Sequence, residues 1–224
     1  MKPAVRTCGS PKLPGLGTDV YRWIEVRDPG GDEQGCAPTP WQRAVDLYPL
    51  HAGRDYAAFA CLFGVRNDAG WEPLAPARGL PPDVSAEGAQ TFAGLRHMDP
   101  AVHGATWLTW AERARADMDA APAGSRGVLL LTDGRAPATV ERHWVREVWP
   151  RSVVHRLGAF PVLTSPAETP YGAWTVGSTT LTFRRFTRRD AVGPGTEWEH
   201  VWAVMRALAG RFGGDGVRLV VFFD

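Results

Sequence analysis

The sequence predicts a single α+β domain in which a mixed β-sheet is covered by three or four helices, with a long irregular central loop. Three observations lead to this class: strand-like alternation over residues 19–27, helical apolar stripes, and a continuous apolar run over residues 217–223. The chain has 224 residues, 44% of them hydrophobic, which is enough for one substantial core. We expect residues 1–16, rich in Pro and Gly, to be a flexible lead-in and residues 17–224 to form the domain.

The first predicted strand covers residues 19–27. Its even-numbered positions form an apolar face, which Arg22 interrupts, and its odd-numbered positions carry polar and aromatic side chains. Residues 28–40 are predicted to be a polar loop. Residues 41–50 are predicted to return as a second strand, so the two strands would form a loose hairpin.

A short apolar helix is predicted within residues 53–67. Asp55 can cap its first turn, because a carboxylate accepts hydrogen bonds from the free amides there. Gly64 weakens its end and lets the chain turn away. Its apolar stripe consists of Tyr56, Phe59, Leu62 and Phe63.

The middle of the chain is predicted to be irregular over residues 68–104, either as a functional loop or as a variable excursion. Thr109 and Glu112 have capping-box spacing, which predicts a helix that continues to about Asp119. Residues 127–132 form a short apolar run that fits either a strand or a buried helical turn.

The remaining elements follow from spacing and composition. Residues 138–149 carry apolar side chains at helical spacing, and residues 171–187 are rich in Thr and read as extended. Thr196 and Glu199 have a second capping-box spacing, which precedes a helix with a long apolar face. Residues 217–223 are predicted to form a central strand that is buried on both faces.

Bulk properties exclude several classes of protein. The formal net charge is +1, so no overall field favours nucleic acid or an anionic membrane. No apolar stretch is long enough to span a membrane, and the N-terminus lacks the apolar run of a signal peptide. The three Cys have no metal-ligand spacing and are expected to be free thiols in a reducing cytoplasm. We found no P-loop, Gly-x-Ser-x-Gly, His-Glu-x-x-His or Cys-x-x-Cys signature.

Several motifs in their order resemble a family of uncharacterised proteins encoded in tailed phages and in bacteria that carry them. The family pattern contains Gly-Cys-Asp-Ile-His, Gly-Arg-Asn-Tyr, Val-Arg-Asn, Arg-Gly-Leu-Pro, Asp-Val-Ser, a His-Ser segment leading to Trp-Leu-Thr, and a terminal Val-Arg-Leu-Val-Phe-Trp-Phe-Asp. The resemblance covers roughly residues 17–115 and 196–224. The counterparts are residues 17–21, 53–56, 65–67, 78–81, 83–85, 103–109 and 217–224.

The resemblance implies a grouping rather than an activity, and the departures from the pattern bear on any shared chemistry. Thr18 and Tyr21 stand where the family has Cys and His, so a metal site or acid–base pair built on those residues is missing here. Asp55 replaces an Asn, and Gly104 replaces the Ser that follows His103.

The candidate site is predicted where polar residues gather at the ends of elements. Asp19, Tyr21 and Glu25 share one face of the first strand, which is either a ligand-binding face or the solvent face of an edge strand. His103 is expected in a loop, where its imidazole either titrates near neutrality as an acid or base, or is simply exposed.

Three arginines at chain breaks, Arg54, Arg66 and Arg78, either bind a phosphate or carboxylate together or pair with Asp55, Asp68 and Asp83 to hold the loops. A further run of Arg184, Arg185, Arg188 and Arg189 fits a solvated edge strand or, alternatively, an anion site.

The leading hypothesis is an enzyme acting on a small anionic or nucleotide-like substrate. Asp19 and His103 would transfer protons, and the substrate would be bound by Tyr21, Glu25, Arg54, Arg66, Asn67, Arg78 and Trp107, with no metal site. The alternative is a non-catalytic, phage-derived accessory or protein-interaction module, which the ten Trp favour. It would show Trp41, Trp71 or Trp110 in one exposed patch. Nucleic acid is an unlikely partner, no membrane partner is expected, and the sequence indicates no particular cofactor.

Overall fold

The structure, a computed structural model, describes residues 20–28, 40–134, 140–157 and 165–224. Within these ranges it has two four-stranded antiparallel sheets and six helices. The strands are β1 (Val20–Val26), β2 (Gln42–Asp46), β3 (His103–Thr109), β4 (Gly127–Asp133), β5 (Val140–Val145), β6 (Gly172–Val176), β7 (Thr179–Arg184) and β8 (Val217–Phe223). The helices are α1 (Tyr56–Phe63), α2 (Ala86–Met98), α3 (Trp110–Arg115), α4 (Arg151–Leu157), α5 (Arg188–Val192) and α6 (Trp198–Phe212).

The α+β class is confirmed, and the arrangement of the strands differs from the prediction. The strands form two sheets, in the orders β2-β1-β8-β3 and β5-β4-β7-β6, and every pair within them is antiparallel. A single mixed sheet was expected, but the Thr-rich residues 171–187 contribute β6 and β7 to a second sheet. Residue patterns indicate that a segment is a strand, but they do not specify its partner, which depends on contacts between distant residues.

Strand β8 lies in the middle of the first sheet and is buried along its whole length, as its apolar run predicts. One face of this sheet packs with α1 and α6 in the main apolar cluster. The other face carries a smaller cluster with side chains of α2. Because both faces are covered, β8 does not need the polar–apolar alternation of a half-exposed strand.

The ends of α1 follow the predicted signals. The Asp55 carboxylate accepts a hydrogen bond from the Ala58 amide at 3.1 Å, and Gly64 ends the helix in the left-handed region at φ 76°. Cys61 is buried in this helix. The local signals therefore fix both the start and the end of α1.

Thr109 and Glu112 form the predicted capping box, although α3 ends at Arg115 rather than near Asp119. The second predicted capping box is wrong. Helix α6 has Glu197 at its N-cap, while Thr196 donates to the Gly193 carbonyl and Glu199 accepts from the Gly195 amide.

Two segments differ from their predictions. Residues 138–149 are not a helix: their described part contains β5, which pairs with β4 over six residue pairs. Residues 68–104 are not wholly irregular, because they contain α2. The α2 helix has a single buried residue, Gly88, so it lacks the apolar stripe that would have revealed it.

The two sheets meet through apolar side chains. Val128 of β4 and Phe186, which follows β7, belong to the main apolar cluster. Leu130 of β4 and Trp144 of β5 pack against it. The other face of the second sheet packs on α4 through Val153. Among the described residues, no helix is long and apolar enough to cross a membrane.

Candidate anion-binding cleft

A cleft of about 300 Å³ lies beside the first half of β1, where its neighbour β2 has ended. The chain leaves β2 at Asp46 and turns away through residues 47–52, so the edge of β1 near Tyr21 and Arg22 is not covered by a strand. We call this the Arg22 cleft. It is lined by Val20, Tyr21, Arg22, Trp23, Arg43, Asp46, Tyr48, His51, Ala52 and Thr91.

Arg22 is the central charged group of this cleft. One of its guanidinium nitrogens, Nη2, donates to the His51 Nδ1 and to the His51 carbonyl, each at 2.6 Å. Among the described residues, the Nε and Nη1 atoms of Arg22 have no hydrogen-bond acceptor, and no carboxylate oxygen lies within 4.0 Å of the guanidinium. Burial lowers the pKa of Arg22 to about 10, while the more distant Glu197 carboxylate opposes the shift. The group therefore stays charged at neutral pH.

The buried residue His51 binds Arg22 through its ring Nδ1 and its backbone carbonyl. Its ring packs at 4.6 Å from Trp198 and at 6.3 Å from Phe59. Because a guanidinium only donates, Nδ1 must accept, and the proton of a neutral ring is then on Nε2. Burial, assisted by the charge of Arg22, lowers the pKa of His51 to about 4, although Glu197 Oε2 lies 3.9 Å away. His51 is therefore neutral at pH 7.

The second arginine of the cleft is already neutralised. Arg43 donates to the Asp46 carboxylate at 2.8 Å and to the Thr91 hydroxyl at 3.0 Å, and its guanidinium lies 4.8 Å from the Trp23 ring. The cleft thus contains one compensated and one uncompensated cation among the described residues. A desolvated guanidinium without a carboxylate partner favours an anion with oxygen acceptors.

The predicted site residues fall into different surroundings. Tyr21 lines the Arg22 cleft and stacks on Phe222 at 5.0 Å. Asp19 lies outside the described residues. His103 is not in a loop: it begins β3 at the edge of the first sheet, exposed, with its Nδ1 at 2.6 Å from the Ala101 carbonyl. The structure shows no contact between His103 and the residues that line the cleft.

Glu25 is buried in a structural network instead of facing solvent. Its Oε1 accepts from the Trp23 indole at 2.9 Å and from the Ser85 hydroxyl and amide at 2.6 and 3.1 Å. Its Oε2 accepts from Arg218 at 2.8 Å, and Arg218 also donates to the Asp83 carboxylate at 2.7 Å. Both carboxylate oxygens therefore have protein partners, and the network ties β1, β8 and the start of α2 together. This strand face was predicted to be either a ligand-binding face or the solvent face of an edge strand. Neither prediction holds at Glu25, because α2 covers it.

Two more predicted residues also hold loops in place. The Asn67 side chain binds both the amide and the carbonyl of Trp71, each at 2.7 Å. Arg78 pairs with Glu112 at 2.8 Å, and its guanidinium lies 5.1 Å from the Trp107 ring. The structure thus brings Arg78 and Trp107 together, in a contact that connects the 78–82 segment to β3.

The other two arginines at chain breaks are Arg54 and Arg66. Arg54 is exposed beside the α1 cap, and the Arg66 guanidinium lies 5.1 Å from the Tyr56 ring. Arg78 does not pair with Asp83 as the alternative predicted, because Asp83 binds Arg218 and Arg78 binds Glu112. Arg78 nevertheless holds a loop in place, which is the role that this alternative assigned to it.

Three of the four arginines in the basic run of residues 184–189 bind other groups of the protein. Arg184 pairs with Asp190 at 2.8 Å and Arg189 pairs with Asp119 at 3.0 Å. Arg188 is buried and donates to the carbonyls of Asp117 and Glu72 at 2.8 and 2.9 Å. The prediction of a solvated edge strand is wrong, since β7 lies inside the second sheet.

The residues that define the cleft, Arg22 and His51, were missed by sequence reasoning. A signal for Arg22 was present, because an arginine on the apolar face of β1 must be buried against something. No local signal pointed to His51, which lies 29 positions away. Within the described ranges, no group of three or more His, Cys, Asp or Glu side chains is placed to hold a metal ion.

Comparisons with protein-family models, with curated proteins and with solved structures found no match to this chain.

Proposed function

We propose that this protein binds a small anionic ligand in the Arg22 cleft. The observation that carries the proposal is the half-buried guanidinium of Arg22, whose Nε and Nη1 have no acceptor among the described residues. A neutral His51 fixes the other side of the guanidinium, so Arg22 is oriented before a ligand arrives. Pre-orientation lowers the entropy cost of binding, and charge-assisted bidentate bonds supply both strength and geometry.

The enzyme hypothesis adds a chemical step to this binding. Asp19 directly precedes Val20, which lines the cleft, and Tyr21 lines it too, so we keep Asp19 as the proposed proton-transfer group. His51 is buried and acts through Arg22 as a positioning residue. We leave His103 out of the proposed site because it begins the edge strand β3, two strands away from β1.

The competing proposal is a non-catalytic accessory or interaction module of phage origin. It expected an exposed patch of tryptophans, but Trp41 and Trp71 are buried and Trp110 is partly buried. These positions favour the ligand-binding proposal. We retain the phage-family grouping and a cytoplasmic location as proposals that rest on the sequence.

Binding can be tested by calorimetric titration with inorganic phosphate, citrate and ribose 5-phosphate at low ionic strength. We expect at least one of these anions to bind, and the Arg22→Gln variant to bind it at least about tenfold more weakly. The matched control is Arg126→Gln, which removes the same charge from an exposed position on β4's N-terminal side. Equal affinity in Arg22→Gln and the wild type, or no binding of any of the three anions, would show that the proposal is wrong.

Catalysis is tested separately by following turnover of the anion that binds. If the protein is an enzyme, Asp19→Ala should remove turnover and leave the affinity of the ligand within about twofold. Tight binding without turnover in the wild type would favour the non-catalytic alternative.

A further inference from the structure

A second cavity, of about 230 Å³, lies between α3 and the first half of α6. It shares no lining residue with the Arg22 cleft. Side chains of these two helices supply most of its lining, and residues 193–194, which connect α5 to α6, complete it. We call this cavity the α3–α6 pocket.

Arg113 of α3 brings a positive charge without a carboxylate partner to this pocket. Its guanidinium lies 4.9 Å from the Trp202 ring, and its Nε is buried without a hydrogen-bond acceptor. In the described part of the chain, no carboxylate oxygen lies within 4.0 Å of this guanidinium. Burial lowers the pKa of Arg113, and the charges of Arg188 and Arg189 act in the same direction. An arginine stays charged in proteins, so a negatively charged oxygen acceptor is favoured beside it.

Glu199 of α6 brings a negative charge to the same pocket. Its Oε2 accepts from the Gly195 amide at 2.8 Å, which orients the carboxylate. Within the described ranges, Glu199 forms no ion pair with Arg113 or with the exposed Arg206, which also lines the pocket. A ligand with a carboxylate alone would bring a like charge close to Glu199, whereas a zwitterion complements both charges.

Trp110 supplies the apolar wall that a ligand can reach. Trp202 is buried between Arg113 and Trp198, so it forms the base of the pocket and not a stacking surface. Trp110 is partly exposed, and the small side chain of Ala203 is exposed on α6. An aromatic or other apolar ligand side chain can therefore pack on the Trp110 ring.

We propose that the α3–α6 pocket binds a free α-amino acid with a single-ring apolar side chain. Its carboxylate binds Arg113, its ammonium group binds Glu199, and its ring packs on Trp110. The volume is below the roughly 300–1,000 Å³ of typical pockets for drug-sized ligands, so the pocket suits one amino acid and not a peptide. This site is independent of the anion in the Arg22 cleft.

The test is an NMR titration of the full chain carrying Arg22→Gln, so that Arg22 contributes to no measurement. The probes are phenylalanine, 3-phenylpropionate, which lacks the ammonium group, and phenethylamine, which lacks the carboxylate. We expect phenylalanine to bind at least about tenfold more tightly than either partial probe, since each lacks one charge-assisted contact. Phenylalanine should shift the indole N–H signal of Trp110, and its affinity for the wild type should agree within about twofold.

Two charge variants, made in the same chain, should have opposite selectivity. Arg113→Met keeps an unbranched apolar side chain against Trp202, so it should weaken phenylalanine and 3-phenylpropionate by at least about tenfold and leave phenethylamine within about twofold. Glu199→Gln keeps an acceptor for the Gly195 amide. It should weaken phenylalanine and phenethylamine and leave 3-phenylpropionate unchanged.

A third variant tests occupation of the pocket. Ala203→Leu fills it from an exposed position on α6, so phenylalanine binding should be lost while the helix keeps a good helix former. The matched control is Ala207→Leu, which lies one turn further along α6, is equally exposed and does not line the pocket. This control should bind phenylalanine as the parent chain does.

Several results would overturn the inference. Phenylalanine that binds the wild type but not the Arg22→Gln chain would belong to the Arg22 cleft. Equal affinities for phenylalanine and 3-phenylpropionate would show that Glu199 recognises no ammonium group. An equal loss of all three probes in Arg113→Met would show that Arg113 supports the structure and does not select a carboxylate. Absence of phenylalanine binding would also contradict the inference, whatever the anion titrations of the Arg22 cleft show.

Discussion

Acidification should destabilise this fold through His51, which is buried beside a permanent positive charge. The pKa of His51 is about 4 in the folded protein, against 6.5 for an unfolded histidine, with burial as the first cause and Arg22 as the second. Between these two values the unfolded chain takes up a proton that the folded chain does not. The stabilising contribution is therefore complete above pH 6.5 and is lost as the pH falls toward 4.

The size of the effect follows from the difference between the two pKa values. Once the pH has fallen below both pKa values, the lowering of the pKa from 6.5 to about 4 corresponds to a loss of about 3 kcal/mol in the free energy of unfolding. Between pH 7.5 and pH 4.5 the His51 part of the loss should be about 2.5 kcal/mol, most of it below pH 6. Such a loss is a large fraction of the stability of a typical domain.

The assay is urea unfolding of the wild type and of His51→Asn at steps from pH 7.5 to pH 4.5. The Asn side-chain oxygen takes the place of Nδ1 as acceptor for Arg22 and does not titrate, so the variant should lose about 2.5 kcal/mol less than the wild type over this range. The control His200→Asn, at an exposed position, should show the same change in the free energy of unfolding with pH as the wild type. Parallel curves for the wild type and His51→Asn would refute a depressed pKa at this position.

Three further perturbations test the fold itself. Glu25→Gln removes the buried carboxylate opposite Arg218 and should lower the free energy of unfolding by about 3–5 kcal/mol in urea titrations; a loss below 1 kcal/mol would contradict the network. Gly88→Ala should cost about 1–3 kcal/mol, because its Cβ would lie 2.7 Å from a tryptophan ring, whereas Gly94→Ala in the same helix faces open space and should add about 0.5–1 kcal/mol. Similar melting temperatures for these two variants would refute this packing of α2. Deleting residues 217–224 removes the central strand of the first sheet, so the protein should show no cooperative thermal transition; a wild-type-like transition would contradict the sheet order.

The helices with capping signals could be predicted because their causes are local. Asp55 and Gly64 define α1 through hydrogen bonds and backbone angles within a few residues of each other. Helix α2 could not be found in this way, since it is largely exposed and is anchored by Ser85, whose hydroxyl accepts from the Gly88 amide at 3.1 Å and donates to Glu25. A helix whose position depends on a distant carboxylate leaves little trace in its own periodicity.

Candidate sites were harder to predict than elements. Tyr21 was predicted as a ligand contact, and in the structure it lines the Arg22 cleft, so its role stays a prediction. Arg78 and Asn67 have the residue types of ligand contacts, but they bind Glu112 and the Trp71 backbone. A polar residue at a chain break is equally suited to a ligand and to a loop, and the partner within reach decides between these roles.

The sequence by itself determined the α+β class, the caps of α1 and α3, and the burial of β8, because periodicity and capping act over a few residues. Tertiary structure alone decided the division into two antiparallel sheets and the change of residues 140–145 from an expected helix to β5, since strand partners lie far apart in the chain. It also decided the Arg22 cleft. The charge state of His51 and the exposure of Arg22 depend on which distant groups exclude water from them, and those groups meet only when the chain has folded.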